Sequence, residues 1–310
     1  MENIRLLEQV KLEASWLTIG SFDGVHIGHK KLIRSLVEGA HKRGRPAVVL
    51  TFEPHPVVVL RKGIAHYLLS TPEEKAQQMA SLGVDYLITH PFNKQVAAMS
   101  ALQFMQLLSD QLGLRYLFVG YNFALGHNRE GDLYHLRGLG RKLGYTVRVF
   151  SPVRLSGEVV SSSGIRDLLT SGEVKKASEW LGRRYKLSGV VVRGDDRGKK
   201  LGIPTANLDI RADLVQPRAG VYACWAIING DRWGAVSNVG VRPTFEFQPV
   251  APRVEAHLFD FEGDLYGQVI SLEFLSRLRE EKRFPNENAL VDQIRGDIEN
   301  ARGMLSMSRE

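Results

Sequence analysis

The 310-residue sequence contains one cysteine, Cys224, and no long apolar run. A single cysteine cannot form a disulfide bond within the chain, which excludes the disulfide-stapled class of small secreted domains. It suits a reducing compartment, and we expect a cytoplasmic protein. The amino-terminal residues lack the apolar segment of a signal peptide, and no stretch approaches the ~20 apolar residues that span a bilayer. We therefore expect no membrane partner.

The sequence also lacks internal repeats, low-complexity tracts and any block of lysine and arginine with interleaved aromatic residues. Its net charge is +7, and the excess is concentrated at the front: 22 Lys and Arg stand against 16 Asp and Glu through Trp180, and 19 against 18 after it. A basic front half suits phosphate-rich small molecules or nucleic acid. Without a basic–aromatic block we expect no nucleic-acid partner, and the length allows two domains.

The most informative stretch is residues 18–29, Thr-Ile-Gly-Ser-Phe-Asp-Gly-Val-His-Ile-Gly-His. An apolar strand, residues 16–19, leads into a turn, and a helical pattern follows from Lys30. His26 and His29 are three residues apart, so both rings can lie on one side of a first helical turn. The glycines that let the backbone turn tightly and approach a ligand are Gly20, Gly24 and Gly28.

This combination suits the phosphates of a nucleotide under attack at the α-phosphorus, because a helix N-terminus attracts anions and such transfers require charge stabilisation. Two alternatives stay open for the histidines. They can be a metal pair, although no nearby third ligand is evident and zinc sites use three or four. They can also be incidental surface residues.

The front half alternates strand-like and helical runs, which predicts a parallel sheet covered by helices on both faces. Ligands in that architecture bind beyond the carboxyl ends of the strands. The further predicted strands are residues 47–52, 84–89, 116–120 and 145–150, and the predicted helices lie near 30–43, 72–82, 99–112 and 132–143.

After about residue 182 the pattern changes to short strands with glycine and proline turns, which predicts an antiparallel barrel or sandwich. We therefore expect two domains, 1–182 and 183–310. An apolar stripe near residues 290–305 predicts a final helix packed on the barrel. The predicted strands are residues 185–192, 220–229, 233–238, 254–259 and 269–274.

Together these motifs resemble the bacterial bifunctional riboflavin kinase/FMN adenylyltransferases, the prokaryotic FAD synthetases. The resemblance covers nearly the whole chain. It implies an α/β plus β fold: an N-terminal Rossmann-like nucleotidyltransferase domain and a C-terminal antiparallel β-barrel riboflavin kinase domain with a C-terminal helix. The matching segments are residues 20–29, 51–56, 119–123 and 161–166 in the front half, and 202–207, 220–222, 238–245 and 254–257 in the back half.

The resemblance implies two reactions. In the back domain the terminal ribityl hydroxyl of riboflavin attacks the γ-phosphorus of ATP, giving FMN and ADP. In the front domain the FMN phosphate attacks the α-phosphorus of a second ATP, giving FAD and pyrophosphate. The implied cofactor is Mg²⁺, with ATP as co-substrate.

For the adenylyl step the resemblance implies that His26 and His29 face the ATP phosphates and that Arg166 neutralises the pyrophosphate portion. Without the other motifs, residues 161–166 are an ordinary helix N-cap followed by a surface arginine. The further residues implied to bind ATP are Gly20, Phe22, Gly24, Gly28, Ser161 and Ser162, and those implied to lie near the flavin are Pro54, His55 and Asn122.

For the kinase step Glu255 matches the family's candidate base, since an alcohol nucleophile benefits from a positioned carboxylate. Thr205 and Asn207 offer the hard oxygen ligands that Mg²⁺ accepts, and the cationic loop from Gly194 to Gly202 suits phosphates. The alternatives are a half-exposed strand carboxylate for Glu255, a turn cap for Asn207, and an ordinary exposed turn for the loop.

Two segments depart from the family's pattern. Ala124 and Leu125 stand where relatives often carry a bulkier or polar residue followed by Phe, and residues 246–253 form a longer link before Glu255 than expected. Neither removes a residue assigned to chemistry, so we expect both activities. The competing function classes are a different adenylyltransferase or tRNA-synthetase-like enzyme with a nucleic-acid-binding barrel, and a non-catalytic flavin-binding regulator.

Overall fold

The computed structural model describes residues 1–60, 67–194, 198, 201–240 and 253–308. The chain divides into two compact units. Residues 1–60 and 70–162 belong to the first unit, and residues 67–69 together with the described part of 163–308 belong to the second. Among the described residues, no helix combines the length and the apolar character needed to cross a bilayer.

The first unit is built on a six-stranded sheet in which every pairing is parallel. The strands are β1 (Glu2–Ile4), β2 (Ser15–Ile19), β3 (Ala47–Glu53), β4 (Tyr86–Pro91), β5 (Leu114–Gly120) and β6 (Thr146–Phe150), in the order β1-β4-β3-β2-β5-β6. The short β1 is the strand that periodicity did not predict. The strand order reverses at β2, because β3, β4 and β1 lie on one side of it and β5 and β6 lie on the other.

Helices cover both faces of this sheet, as alternating side chains on β2 show. Trp16 packs in one apolar cluster with residues of α1 and α3, and Leu17 packs in another with residues of α5 and α6. The predicted helix-covered parallel sheet is therefore confirmed. The helices of this unit are α1 (Ile27–His41), α2 (Pro56–Leu60), α3 (Pro72–Ser81), α4 (Lys94–Ala98), α5 (Ala101–Leu112) and α6 (Leu133–Leu143).

Local sequence signals fix where these helices begin. Thr71 and Glu74 form a capping box at the start of α3, with each side chain bonding the other's backbone N–H. Ser100 and Gln103 do the same for α5. At the end of α5, Gly113 adopts φ 53°, and a Cβ there would collide with the carbonyl oxygen of Glu13.

A short hairpin, β7 (Arg154–Leu155) with β8 (Glu158–Val159), is followed by α7 (Ser162–Ser171) and α8 (Val174–Leu181). In the second unit, Leu68 forms a parallel bridge with Leu214, and its carbonyl accepts a hydrogen bond from the N–H of Val215 at 2.8 Å. This contact joins residues far apart in the sequence.

The second unit contains a closed antiparallel barrel, which confirms the barrel rather than the sandwich. Its strands are β9 (Tyr185–Val192), β10 (Ala206–Ile210), β11 (Gly220–Ile228), β12 (Asp231–Gly240), β13 (Arg253–Leu258) and β14 (Val269–Arg279), in the circular order β10-β13-β12-β11-β14-β9. Strand β10 was not predicted, because its Asn-Leu-Asp sequence is typical of a turn. Asn207 therefore lies in a strand, and the turn-cap alternative is wrong.

Side chains fill the barrel interior. Tyr222 and Phe274 are fully buried, and their rings meet edge to face at 5.3 Å. The alternate residues of β11, among them Val221 and Trp225, pack outward against the last helix, α9 (Glu287–Met307). Because a six-stranded barrel of this kind is a packed core, any ligand site of this unit must lie outside it.

Candidate functional sites in the two units

The turn between β2 and α1 lies at the carboxyl end of β2, where the strand order of the sheet reverses. In open α/β sheets the loops separate at such a point and leave a crevice for a ligand. The predicted residues His55 and Asn122 follow β3 and β5, the two strands hydrogen-bonded to β2. Because parallel strands end at one edge, the topology brings the three segments to the same edge of the sheet.

His26 caps α1. Its Nδ1 accepts hydrogen bonds from the N–H groups of Gly28 and His29, at 3.1 and 3.3 Å. Since a neutral imidazole has one acceptor and one donor nitrogen, these bonds place the ring proton on Nε2. Two of the N–H groups that we expected to attract an anion are thus satisfied within the chain.

His29 lies directly against His26. Their rings are stacked with centroids 3.6 Å apart, and the Phe22 ring meets His29 edge-on at 5.1 Å. The Nδ1 of His29 is buried and has no hydrogen-bond partner among the described residues. Withdrawal from water, and then the nearby His26 and Lys75, hold the pKa of His29 well below its ordinary value. The ring is therefore uncharged at neutral pH.

The turn that carries these histidines has an unusual backbone. Phe22 and Val25 adopt φ 44° and 40°, in the left-handed region that side chains disfavour, and Gly24 adopts φ 75°. Gly28 leaves room for the His26 ring, since a Cβ there would lie only 3.0 Å from that ring. Such a conformation persists only when its surroundings hold it in place, and it is concentrated at functional sites.

Side chains from other elements hold the turn. The carbonyl of Ser21 accepts hydrogen bonds from Lys75 Nζ at 2.8 Å and Thr51 Oγ1 at 3.1 Å. The sequence alone singles out neither side chain. Thr51 lies in a motif whose other members suggested the flavin, and Lys75 lies on α3 with no neighbouring signal.

Two serines complete this support. The N–H of Gly24 donates to Ser70 Oγ at 3.2 Å, and Ser162 Oγ donates to the carbonyl of Asp23 at 2.9 Å. Ser162, predicted to bind phosphate, therefore contacts the turn between β2 and α1. Ser161 precedes it in the same unit.

The remaining residues predicted for this site have local partners. Pro54 follows a cis peptide bond, and His55 Nδ1 accepts from the N–H of Val57 at 3.1 Å. Asn122 is exposed, and its carbonyl accepts from Arg129 at 3.1 Å. Leu125, one of the two departures from the family pattern, packs against the core beneath α5 and α6, and Ala124 is half-buried.

Arg166 lies on α7 within the second unit. Its Nε donates to the carbonyl of Tyr67 at 2.6 Å, and its guanidinium carbon lies 3.7 Å from the centre of the Tyr67 ring. The arginine is thus oriented by a stacked ring and a charge-assisted hydrogen bond. The arginine is half-buried, and its role at the site stays a prediction.

The second candidate site is a row of polar residues across three barrel strands. Asn207 on β10 and Asn238 on β12 are the direct cross-strand partners of Glu255 on β13. Thr205 Oγ1 donates to Glu255 Oε2 at 3.4 Å. All of these oxygens are hard donors, so the set fits a small divalent cation with phosphate oxygens.

A cavity of about 370 Å³ adjoins this row, between the outer face of the barrel and α9. Glu255 and Thr205 line one part of it. Its volume and its mixture of apolar walls with a few polar groups are typical of a small-molecule site. The apolar side chains that line it are Leu201, Ile203, Val221, Val236, Phe284, Leu290 and Ile294.

A buried ion pair closes one wall of this cavity. Asp297 on α9 receives three hydrogen bonds from Arg279 on β14, at 2.7 to 3.0 Å, and a fourth from Gln293 at 3.0 Å. The side chain of Asp297 is 4% exposed and that of Arg279 is 15% exposed. Neither residue lies in a motif that points to a site, so this pair is not predictable from the sequence.

The glycine-rich loop is only partly described. Gly198 and Gly202 are described, and a Cβ on Gly198 would collide with the carbonyl oxygen of Ile203 and approach Thr205 Oγ1 to 3.2 Å. Gly194 is half-buried and lies two residues beyond the end of β9. Residues 195–197 and 199–200 and the longer link at 246–252 lie outside the described residues. Within the described residues, no three His, Cys, Asp or Glu side chains cluster as metal ligands, so the histidine pair gains no third ligand there.

Comparison with known proteins assigns one family model to each half. The model described as FAD synthetase matches residues 8–164, and the model described as riboflavin kinase matches residues 181–305. A solved structure described as a macrolide-efflux protein from Streptococcus pneumoniae superposes with a TM-score of 0.88 and 29% identity, covering 97% of this chain and 98% of that one.

Curated relatives match over nearly their whole length. The bifunctional riboflavin kinase/FMN adenylyltransferase of Bacillus subtilis is 36% identical over 297 residues, covering 95% of this chain and 92% of that protein. That of Pseudomonas fluorescens is 37% identical over 292 residues, covering 94% and 93%. Because one family model matches each half and these relatives cover nearly the whole chain, the chain belongs to the family of bifunctional riboflavin kinase/FMN adenylyltransferases.

Proposed function

We propose that the chain phosphorylates riboflavin to FMN at the barrel site and adenylylates FMN to FAD at the sheet site, with ATP as the donor in both steps. The observation that carries this proposal is the presence of two separate residue clusters, one in each matched half. By function we assign residues 1–182 to adenylyl transfer and 183–310 to the kinase.

In the kinase step Glu255 takes the proton of riboflavin's terminal hydroxyl as its oxygen attacks the γ-phosphorus. The Thr205 hydroxyl donates to Glu255 and so orients its carboxylate. The cavity beside Glu255 excludes water from the flavin ring, whose flat apolar surface suits the aliphatic walls. Thr205 and Asn207 would hold Mg²⁺, which would supply charge neutralisation at the ATP phosphates.

In the adenylyl step the FMN phosphate is already an anion, so no general base is needed. The Nε2–H of His26 donates a hydrogen bond to an ATP phosphate oxygen, because its Nδ1 is occupied by the backbone. His29, stacked on it and uncharged, keeps that ring fixed. Arg166 neutralises the pyrophosphate that leaves.

Gly20, Phe22, Gly24 and Gly28 shape the turn that meets the nucleotide, with Ser161 and Ser162 beside it. Pro54, His55 and Asn122 contact the flavin of FMN at the same edge of the sheet. Gly194 and Gly202 bound the loop that covers ATP at the kinase site.

The test is product analysis by chromatography with riboflavin, ATP and Mg²⁺. We expect FMN first and FAD after it. In Glu255→Gln, FMN formation is lost while added FMN is still converted to FAD. In His26→Ala, the reaction stops at FMN. A wild-type chain that binds flavin without turnover would contradict the proposal and favour the regulator.

A further inference from the structure

A lysine side chain lies beneath the phosphate-binding turn without belonging to it. Lys75 extends from α3, and its Nζ reaches the carbonyl of Ser21 at 2.8 Å and Thr51 Oγ1 at 3.4 Å. The residue is half-buried, and loss of water around the ammonium group lowers the pKa of Lys75, whereas Asp23 and Glu53 favour its charged form.

This ammonium group is not needed to satisfy the backbone. Thr51 already donates to the same Ser21 carbonyl at 3.1 Å, and a neutral donor satisfies an oxygen without the free-energy cost of withdrawing a charge from water. A lysine that serves only as a hydrogen-bond donor would be an unfavourable choice here. The feature that distinguishes it from a neutral side chain is its charge.

The contacts of Lys75 lead directly to the histidines. Ser21 precedes Phe22, whose backbone is in the left-handed region and whose ring meets His29 edge-on. His29 stacks on His26. The charge of Lys75 also acts on His29 through space, and it opposes protonation of that ring.

We propose that Lys75 is a positioning residue for adenylyl transfer, which fixes Ser21 and hence the strained turn and holds a positive charge behind the two histidines. This inference rests on the proposed adenylyl transfer at the sheet site. A fixed charge behind the histidines also favours two anionic substrates, and it costs no reorganisation during the reaction.

The test compares Lys75→Met, Lys75→Arg, Thr51→Val and the exposed control Lys94→Met. Conversion of FMN and ATP to FAD is followed as kcat and KM against pH, and conversion of riboflavin to FMN serves as the internal control for folding. In Lys75→Met we expect kcat for FAD formation to fall about tenfold to a hundredfold, as for loss of a charged hydrogen bond. Formation of FMN and the Lys94→Met variant stay at the wild-type level.

The pH profile separates a charge role from a structural one. Groups acting on Lys75 and His29 are Asp23, Glu53 and His26, and all of them stay in Lys75→Met. Removing the lysine charge raises the pKa of His29, so the acid limb of kcat for FAD formation moves to higher pH. Thr51→Val, which removes the other donor to Ser21, leaves this limb in place, and so does Lys75→Arg, which keeps the charge.

Two results would overturn the inference. The first is a wild-type kcat for FAD formation in Lys75→Met. The second is a fall in that kcat no larger than in Thr51→Val, with the acid limb of Lys75→Met at the wild-type pH. Lys75→Met could also lose FMN formation and its cooperative thermal unfolding, which would mean that this variant does not fold. In that case Lys75→Arg, which keeps the charge, is the deciding variant. A shifted acid limb of kcat for FAD formation in Lys75→Arg would contradict the charge role. A wild-type chain that makes no FAD contradicts the proposed function instead, so the two failures are distinguishable.

Discussion

At the scale of single residues, His26 combines a structural and a chemical role in one ring. Its Nδ1 caps α1, and its Nε2–H is the donor that we assign to ATP. Serine at this position would keep a side-chain cap but lose the ring, whereas alanine would lose both. The two substitutions therefore separate the roles.

We expect His26→Ser to unfold with a free energy close to that of the wild type, and His26→Ala to be less stable by about 0.5–2 kcal/mol, the usual value of an N-cap. Both variants stop making FAD. Chemical denaturation and FAD formation measure the two effects. A fully active His26→Ser would show that the ring acts only as a cap.

His29 predicts a dependence of stability on pH. Its folded pKa lies well below the ordinary 6.5, mainly because of burial, so below pH 6.5 the unfolded chain binds a proton that the folded chain does not. The free energy of unfolding therefore falls as pH drops from 6.5 towards the folded pKa. We expect His29→Gln to lose this part of the slope, as measured by urea denaturation at several pH values. Equal slopes in both proteins would be the contrary result.

Residues carried by motifs were predictable, and residues recruited from elsewhere were not. The spacing of His26 and His29 and the motif around Glu255 led to their sites from the sequence. Lys75 and Thr51 act on the turn through contacts with a carbonyl that belongs to another element. A hydrogen bond to a backbone oxygen imposes no sequence pattern of its own, so such partners become visible only in three dimensions.

At the scale of elements, α9 is attached to the barrel by two ion pairs of contrasting environment. Arg279 and Asp297 are buried and line the cavity. Arg302, on the same helix, pairs with Asp260 at 2.7 Å in an exposed position. Since each pair has at least two hydrogen bonds between its side chains, the helix offers its own matched control.

We expect Asp297→Ala to lower the free energy of unfolding by about 3–5 kcal/mol, because it leaves the Arg279 charge largely buried without its carboxylate partner. The same change should raise the KM for riboflavin, since α9 forms a wall of the cavity. Asp260→Ala, at the exposed pair, should change neither quantity appreciably. Equal effects of the two substitutions on stability would contradict the assigned difference in burial.

Strong periodicity predicted most elements, and their boundaries agree within a few residues. Two of the exceptions show why prediction failed there. Strand β10 has a turn-like sequence, and its strand conformation follows from pairing with β9 and β13. The three-residue β1 is too short for a pattern and is defined by its pairing with β4. In both strands, distant partners override weak local preference.

At the scale of the whole molecule, each unit carries its own candidate site. The product of the kinase is the substrate of the adenylyltransferase, and we propose that FMN passes through solution. Variants that each lack one site should then complement one another when they are mixed.

We expect a mixture of Glu255→Gln and His26→Ala to make FAD from riboflavin after a lag, although neither variant does so alone. Labelled riboflavin with excess unlabelled FMN should give mostly unlabelled FAD. Chromatography of the products over time measures both. Absence of FAD from the mixture, with each remaining half-reaction intact, would argue for direct transfer of FMN instead.

Alternation of strands and helices, followed by short strands, was enough to predict a parallel sheet and then a barrel. It did not predict that residues 67–69 belong to the second unit, since Leu68 and Leu214 are joined by a bridge across a long stretch of sequence. Residues 163–182, which we assign by function to adenylyl transfer, likewise pack with the second unit.

This discontinuity has a consequence for recombination between relatives. If two family members were spliced at residue 182, the second unit of the chimaera would come from both parents. Tyr67, Leu68 and Arg166 would come from the first parent, and Leu214 would come from the second. The Leu68–Leu214 bridge and the Leu68–Val215 hydrogen bond would then join segments that had never evolved together. Exchange of one activity for a relative's therefore requires three crossovers, one on each side of residues 67–69 and one after residue 162, so that residues 67–69 are inherited along with the barrel.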